Sequence, residues 1–261
     1  MGFVVDIYYT IIFEPLLNGL VFLVNIIPFH DVGLAVIVLT LIVRFITFPL
    51  NHKAIVTQTK IKQLEPEIKQ LKEKFKKDSQ EQAKKIMELY KVHGINPLSG
   101  FLTLIIQIPL IIALYSVFRA GINFDISHLY SFITVPENIH TIFLGLFDMT
   151  QRSYVLAFLT GASQFIQMRL AIPPIKKTTS SKPSFKEDFA RNMNIQMRYI
   201  MPIFIVFIVA QFTSAIALYW TTMNIFAIIH EAIVRKKAKK IISQKDGKPN
   251  SNNQIINRSN A

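Results

Sequence analysis

Arg44 is the residue whose chemistry most needs an explanation. It lies inside residues 32–51, VGLAVIVLTLIVRFITFPLN, and a bilayer core of about 30 Å takes roughly 20 helical residues to cross. An arginine at that depth costs about 3 kcal/mol on insertion scales and more in simulations, so its guanidinium must face protein or water rather than lipid. Thr40, Arg44, Thr47 and Asn51 follow one another at spacings of four, three and four, which places them on one face of a helix. The helix is predicted to carry a wet stripe on a greasy body. A buried cation ordinarily has a carboxylate partner, yet no Asp or Glu falls in the middle of any apolar run; Asp31 and Glu231 lie at the ends of theirs. An unpaired arginine is tolerable where water reaches it, which predicts a hydrated cavity between helices. A permanent positive charge there attracts acidic groups passing through.

Four more apolar runs could wall that cavity: residues 98–120, 154–171, 198–212 and 214–234. Polar residues line one face of three of them: Thr103 and Gln107 in the first, Thr160, Gln164 and Gln167 in the second, Thr221 and Asn224 in the last. The run at 198–212 is almost wholly apolar, and a tight turn near 211–214 joins it to the last. Small polar residues also glue membrane helices together through hydrogen bonds, and that is the better account of Thr103, Thr160 and Ser163. Tyr219 and Trp220 equally suit packing or the membrane interface.

The segment before the first span is different. In residues 3–27, Asp6, Thr10, Glu14, Asn18 and Asn25 interrupt apolar sequence, with Pro15 inside and Pro28 at the end. Two carboxylates and a proline favour a helix lying in the outer interface over one that spans. After the first span, residues 52–93 hold eleven Lys and six acidic residues. Ile61, Leu64, Ile68, Leu71 and Phe75 repeat at three and four, the seam of paired helices. Ser79 and Gln82 read as a capping box, Ala83, Ile86, Leu89 and Tyr90 supply the facing stripe, and Gly94 with Pro97 closes the second helix. Five apolar positions are too few for an intermolecular coiled coil, so the prediction is a helical hairpin. Pro66 marks either a kink or the start of its first helix.

Charge sets the orientation. Basic residues number eleven in 52–93, seven in 169–198 and eight from Arg235 onward, whereas 122–151 holds Asp125, Glu137 and Asp148 and no Lys or Arg. The positive-inside rule then predicts five spans with the N-terminus outside and the C-terminus in the cytoplasm. Arg119 and Arg152 break the pattern at outer helix ends, where they can snorkel. No Lys or Arg precedes Arg44, which argues against a secretory signal peptide and for an external N-terminus. With 51% hydrophobic residues and a mean hydropathy of +0.36, the chain reads as an all-α polytopic membrane protein. Zero cysteines exclude disulfides, thiolate metal sites, a cysteine nucleophile and a lipidated cysteine. His30, His52, His93, His128, His140 and His230 show no ligand spacing, and no nucleotide or metal motif appears, so no cofactor and no enzyme activity are expected.

Several stretches carry a resemblance. LTLIVRFITFPLNHKA, QLEPEIKQLKEKFKKD with MELYKVHGINPLSG, LIIQIPLIIALYSVF and SAIALYWTTMNIFAI resemble, in that order, the first core span, cytoplasmic hairpin, second span and fifth span of the YidC/Oxa/Alb family of membrane protein insertases, in its short bacterial form. The resemblance covers roughly residues 10–237 and implies a positively charged groove open to cytoplasm and lipid but closed outside. Arg44 matches the groove arginine, and Thr40, Gln107, Tyr219 and Trp220 match neighbouring positions; Gln164 and Asn224 are added from periodicity. It implies a chaperone and insertase acting on nascent membrane proteins beside ribosomes, with the Sec translocon and the signal recognition particle receptor as further partners. Short members often carry a lipidated N-terminal cysteine, which this sequence lacks, so its N-terminal helix must be anchored otherwise.

The expected layout is an interfacial helix at 1–30, a five-span core at 31–237 with a hairpin at 52–93 and a cytoplasmic loop at 172–198, and a basic, disordered tail at 238–261, all in a bacterial plasma membrane. Arg235, Lys236, Lys237, Lys239 and Lys240 suit contact with anionic lipid or ribosomal RNA. A small-anion transporter or channel using Arg44 is the rival function, though such proteins usually show intramembrane carboxylates and repeated halves. A scaffold whose polar stripes only pack helices is the third.

Overall fold

Prolines and capping residues set the element boundaries. The computed structural model describes residues 2–76, 78–96, 99–119, 126–172 and 192–246; most of the expected 172–198 loop and the end of the tail lie outside the described residues. Among the described residues the fold is helical except for one two-residue strand pair, Ile142–Phe143 with Phe147–Asp148. At the N-terminus α1 (Phe3–Tyr8), a π-helical turn (Tyr9–Phe13) and α2 (Glu14–Ile26) follow without a break. Pro15 falls in the first turn of α2, where a missing N–H is tolerated. One face of α2, including Leu17, Leu20, Val21 and Val24, is buried. It packs on α3 (Val32–Ile46), with Gly19 facing Leu39. Asp31 starts α3 by accepting the Leu34 N–H at 2.9 Å.

The straight helix expected to reach Asn51 does not form. It breaks at Thr47, and α4 (Phe48–Gln63) departs at 65°. Pro49 in the first turn of α4 is the cause: it has no N–H to give and its ring meets the carbonyl four residues back. The polar stripe is thereby divided, with Thr40 and Arg44 on α3 and Asn51 on α4. Thr47 bridges the break, donating to the Val43 carbonyl at 2.8 Å and accepting from Asn51 Nδ2 at 3.0 Å.

The hairpin is α5 (Glu65–Lys74) and α6 (Ser79–Val92). Pro66 lies in the first turn of α5, so it marks a helix start. Asp78, and not Ser79, caps α6 by accepting from the N–H groups of Gln80 and Glu81 at 2.9 and 3.0 Å. A carboxylate there is favoured by its charge at the positive helix end, and Gln82 instead donates to the Lys72 carbonyl across the hairpin. Gly94, at φ 62°, ends the helix; the Ile95 N–H reaches back to the Tyr90 carbonyl at 2.8 Å, a Schellman closure. Ile95 joins Leu64 and Ile68 in a small core lined by Ile61, Ile86, Leu89 and Tyr90, while Leu71, Phe75 and Ala83 of the predicted seam stay outside it.

The bundle continues with α7 (Ser99–Arg119), α8 (Tyr154–Ala171), α9 (192–195) leading through a π turn into α10 (Met201–Val209), and α11 (Ser214–Asp246). These and α3 occupy the five predicted apolar runs. Helix α11 does not give way to disorder at 238 but runs on to Asp246, because residues 235–246 are mostly good helix formers with no Gly or Pro before Gly247. By length and apolarity, Val5–Ile26, Asn192–Val209 and Ser214–Lys236 can each cross a membrane, and the bent α3–α4 pair makes a fourth candidate. The architecture is that of an all-α polytopic membrane protein. Helix α11 is its central element, packed against α3, α4, α7 and α8, while α10 covers the other side of α8.

Helices α8 and α10 approach through Gly161, where an added Cβ would stand 2.1 Å from Val206 Cγ2. Gly161→Ala should lower the thermal stability of the detergent-purified protein, the cost being about 1–3 kcal/mol as for other overpacked sites, and adding Val206→Ala should recover most of it. Asp78→Ala should cost about 1 kcal/mol locally. It should be read as faster amide exchange at Gln80 and Glu81 with the bundle's protection unchanged.

Candidate substrate groove

Arg44 sits in the last turn of α3, half-buried. Among the described residues the ion pairs are Lys62–Glu231, Lys69–Glu65, Lys85 with Glu81 and Glu88, His128–Glu14 and Arg235–Glu231, and none involves Arg44. The guanidinium lies instead within electrostatic reach of the Tyr219 hydroxyl of α11. That hydroxyl accepts a hydrogen bond from Gln107 Nε2 of α7 at 3.0 Å. Beside Tyr219, the indole N–H of Trp220 donates to Gln164 Oε1 of α8 at 3.3 Å. Residues expected to share a groove thus come from α3, α7, α8 and α11, with Gln107, Gln164 and Trp220 half-buried and Tyr219 buried beneath them at 4% exposure. Pairing leaves the side-chain carbonyl of Gln107 and an amide N–H₂ of Gln164 with hydrogen-bonding capacity beyond these two contacts. A cation beside neutral donors and acceptors is suited to hold an acidic or peptide-like group by hydrogen bonds and charge.

Two of the expected groove residues are placed differently. The Thr40 side chain is buried and bonds back to the Val36 carbonyl of its own helix at 2.6 Å. Asn224 is 0% exposed. Its amide donates to Ser163 Oγ at 3.0 Å and points to the Thr160 carbonyl at 3.4 Å. Thr160 in turn bonds to the Leu156 carbonyl and meets Thr221 Oγ1 at 2.9 Å. Thr160, Ser163, Thr221 and Asn224 therefore form one polar knot between α8 and α11, the arrangement by which polar side chains join helices in lipid. Periodicity put Asn224 on the same helix as Trp220 but could not say which of its faces met α8.

Sequence reading missed a junction just below Arg44. His52 Nδ1 and His230 Nε2 lie 3.0 Å apart across 178 residues, their rings stacked on each other and on Phe48. Next to them Glu231 accepts from Arg235 at 2.9 and 3.1 Å, and Lys62 Nζ lies 3.8 Å from the same oxygen. Nothing in the spacing of these histidines announces the pairing, because it depends on α4 folding back along α11. Arg235, expected to face lipid or RNA, spends its guanidinium on Glu231; Lys236 is exposed, and the Lys237, Lys239 and Lys240 side chains lie outside the described residues. Among the described residues, no three His, Asp or Glu side chains gather as a metal site would need.

Comparison with known proteins bears on the same stretch. The model of a family described as "60Kd inner membrane protein" matches residues 22–241. The Membrane protein insertase YidC of Wolinella succinogenes is 32% identical over 210 residues, 80% of this chain and 34% of that protein. Its namesake in Helicobacter pylori strain J99 is 31% identical over 204 residues, covering 78% and 33%. That of Fusobacterium nucleatum is 31% identical over 205 residues, covering 78% of this chain and 86% of the relative. The chain thus spans about a third of the first two relatives and most of the third. The matched region runs from α2 into α11 and holds every groove residue named above; the chain belongs to the YidC/Oxa/Alb family.

Proposed function

We propose that this protein is a membrane protein insertase and chaperone. The observation that carries the reading is a half-buried Arg44 with no carboxylate within 4 Å among the described residues, within electrostatic reach of a Tyr219 hydroxyl that is itself bonded to Gln107; the Trp220–Gln164 pair on the next residue of α11 extends the polar lining in this reading. Relatives bearing the name Membrane protein insertase YidC support it. An acidic extracytoplasmic segment of a nascent protein enters the groove from the cytoplasmic side, drawn to Arg44. Placing a carboxylate at bilayer depth costs about 3 kcal/mol on insertion scales. Attraction between unit charges 4 Å apart at an effective dielectric near 20 is about 4 kcal/mol, enough to offset that cost for one residue. The apolar segment that follows then leaves for lipid, where each Leu, Ile, Phe or Val gains about 0.3–0.6 kcal/mol. Over roughly 20 residues that exceeds the electrostatic hold, so the substrate is released. No bond is made or broken.

In this reading the basic hairpin, the 172–198 loop and the tail face the cytoplasm of a bacterium, the N-terminus lies outside and Phe3–Ile26 lies in the outer interface. Ribosome-bound nascent chains are the substrate, with the Sec translocon and the signal recognition particle receptor as neighbours. The lysines beyond Arg235 contact ribosomal RNA or anionic lipid.

A photocrosslinker placed at Gln107 or Trp220 should capture a ribosome-bound single-span protein with an acidic N-terminal segment, and the yield should fall when those acidic residues are neutralised. Absence of crosslinks from both sites while the substrate still inserts through this protein would remove the groove from the route and favour the small-anion transporter. Arg44→Ala should slow insertion of the acidic substrate about tenfold or more, since tenfold corresponds to about 1.4 kcal/mol. Arg44→Lys should restore much of the rate, and a substrate with a neutral leading segment should be nearly indifferent to either change.

A further inference from the structure

Large apolar side chains exposed along a membrane helix meet lipid and need no separate account. Those on connecting segments do. Phe29, Phe132, Leu144 and Leu146 are 86, 78, 68 and 75% exposed, and all four lie off the long helices. We propose that they form an apolar rim that inserts into the outer leaflet of the bilayer, and that this rim is an anchor for the outer ends of the two helices carrying the groove.

The rim is held in place by structure. Phe29, His30 and Leu144 adopt φ values of 63, 52 and 53°, the positive-φ residues other than glycine among those described, and Gly145 follows at 70°. Left-handed backbone is unfavourable for side chains of this kind, so the surroundings must hold it. They do. His140 exchanges backbone hydrogen bonds with His30 and Val32, Met149 N–H bonds to the Thr141 carbonyl, and Leu146 N–H closes the turn on Phe143. The Phe143 ring lies so close to Gly33 that a Cβ there would come within 2.4 Å of it. Phe132 is held from both sides: Asn18 bonds to His128 and Tyr130 before it, and the Asn25 amide donates to the Thr134 carbonyl after it.

Continuity identifies the occupant as lipid. Phe22 and Ile26 stand one helical turn apart on α2 with Phe29 just beyond its end, and Leu34, Val38, Ile42 and Phe45 continue down α3, all exposed. The rim is the upper edge of apolar strips that a membrane protein turns toward acyl chains. Residues 122–151 contain no Lys or Arg, so attraction to anionic headgroups is not the driving force, and apolar insertion into zwitterionic lipid suffices. The same hairpin reaches the other groove helix: the Gln151 carbonyl accepts from Ser214 N–H and its hydroxyl at 2.7 and 2.8 Å, and the Met149 carbonyl accepts from the Ala215 N–H. One lipid-held hairpin therefore ties the start of α3, which carries Arg44, to the start of α11, which carries Tyr219 and Trp220. The inference rests on the membrane-spanning architecture and stands whether or not the groove inserts proteins.

The chain has no cysteine, so single-cysteine variants can be spin-labelled directly. Phe132→Cys, Leu144→Cys and Leu146→Cys would be compared with Glu137→Cys, an exposed polar site of the same region, in phosphatidylcholine vesicles. Collisions with lipid-soluble oxygen should exceed those with a water-soluble nickel chelate several-fold more at the three rim sites than at Glu137→Cys. Rim labels matching the Glu137→Cys label would put these side chains in water and overturn the proposal. Labels shielded from both reagents, and released when protein is diluted into excess lipid, would mean that a second copy covers the rim, which also overturns it.

Discussion

The structure is arranged around a charge that cannot be removed. A guanidinium keeps its proton at any accessible pH, so the only ways to keep Arg44 in an apolar helix are to pair it, hydrate it or surround it with hydrogen-bonding groups. The described residues offer it no carboxylate. What they offer within electrostatic reach is the Tyr219 hydroxyl, itself fixed by Gln107, and the proposed groove adds the Trp220–Gln164 pair from the next residue of α11. Four helices must converge for this, and the contacts of α11 with α3, α7 and α8 are what bring them together.

The bilayer imposes a second demand on the same bundle: polar groups that do not face water must find partners inside. Helix α8 meets it on one side with the Thr160–Ser163 knot, closed by Thr221 and Asn224, and the very next residue, Gln164, accepts from Trp220. One helix thus carries both a fastening and a groove contact, one residue apart at Ser163 and Gln164. The knot holds α8 and α11 in register, and that register is what sets Gln164 opposite Trp220. Close approach of α10 through Gly161 backs α8 from its other side.

The break at Thr47 has a comparable double effect. Pro49 forbids a straight helix, and the resulting 65° turn carries α4 away from α3. It also swings His52 onto His230 and Lys62 toward Glu231. The hairpin is therefore connected to the bundle through a stacked and ion-paired junction as well as through the chain. Its own core of Leu64, Ile68 and Ile95 is too small to hold it alone.

Much of this could be read from residue order. Apolar runs of membrane length, the lone arginine in the first of them, the one-sided distribution of lysine and the hairpin between Leu64 and Tyr90 are local patterns. Local patterns survive folding because helix period and bilayer thickness act on a few neighbouring residues at a time. Capping was legible to within one residue: Ser79 and Asp78 are both acceptable caps, and only backbone geometry chose the carboxylate. What the tertiary structure alone decided was which polar side chains meet. Thr40 and Asn224 have the same period as Arg44 and Trp220 but are fully buried in helix contacts, since a stripe defines a face and not how closely the neighbouring helix will cover it. The His52–His230 stack, Lys62 beside Glu231 and the hairpin of Phe143 against Gly33 join residues from 110 to 178 positions apart. Partners at such separations are selected by helix crossing and close packing, and no periodicity along the chain records them.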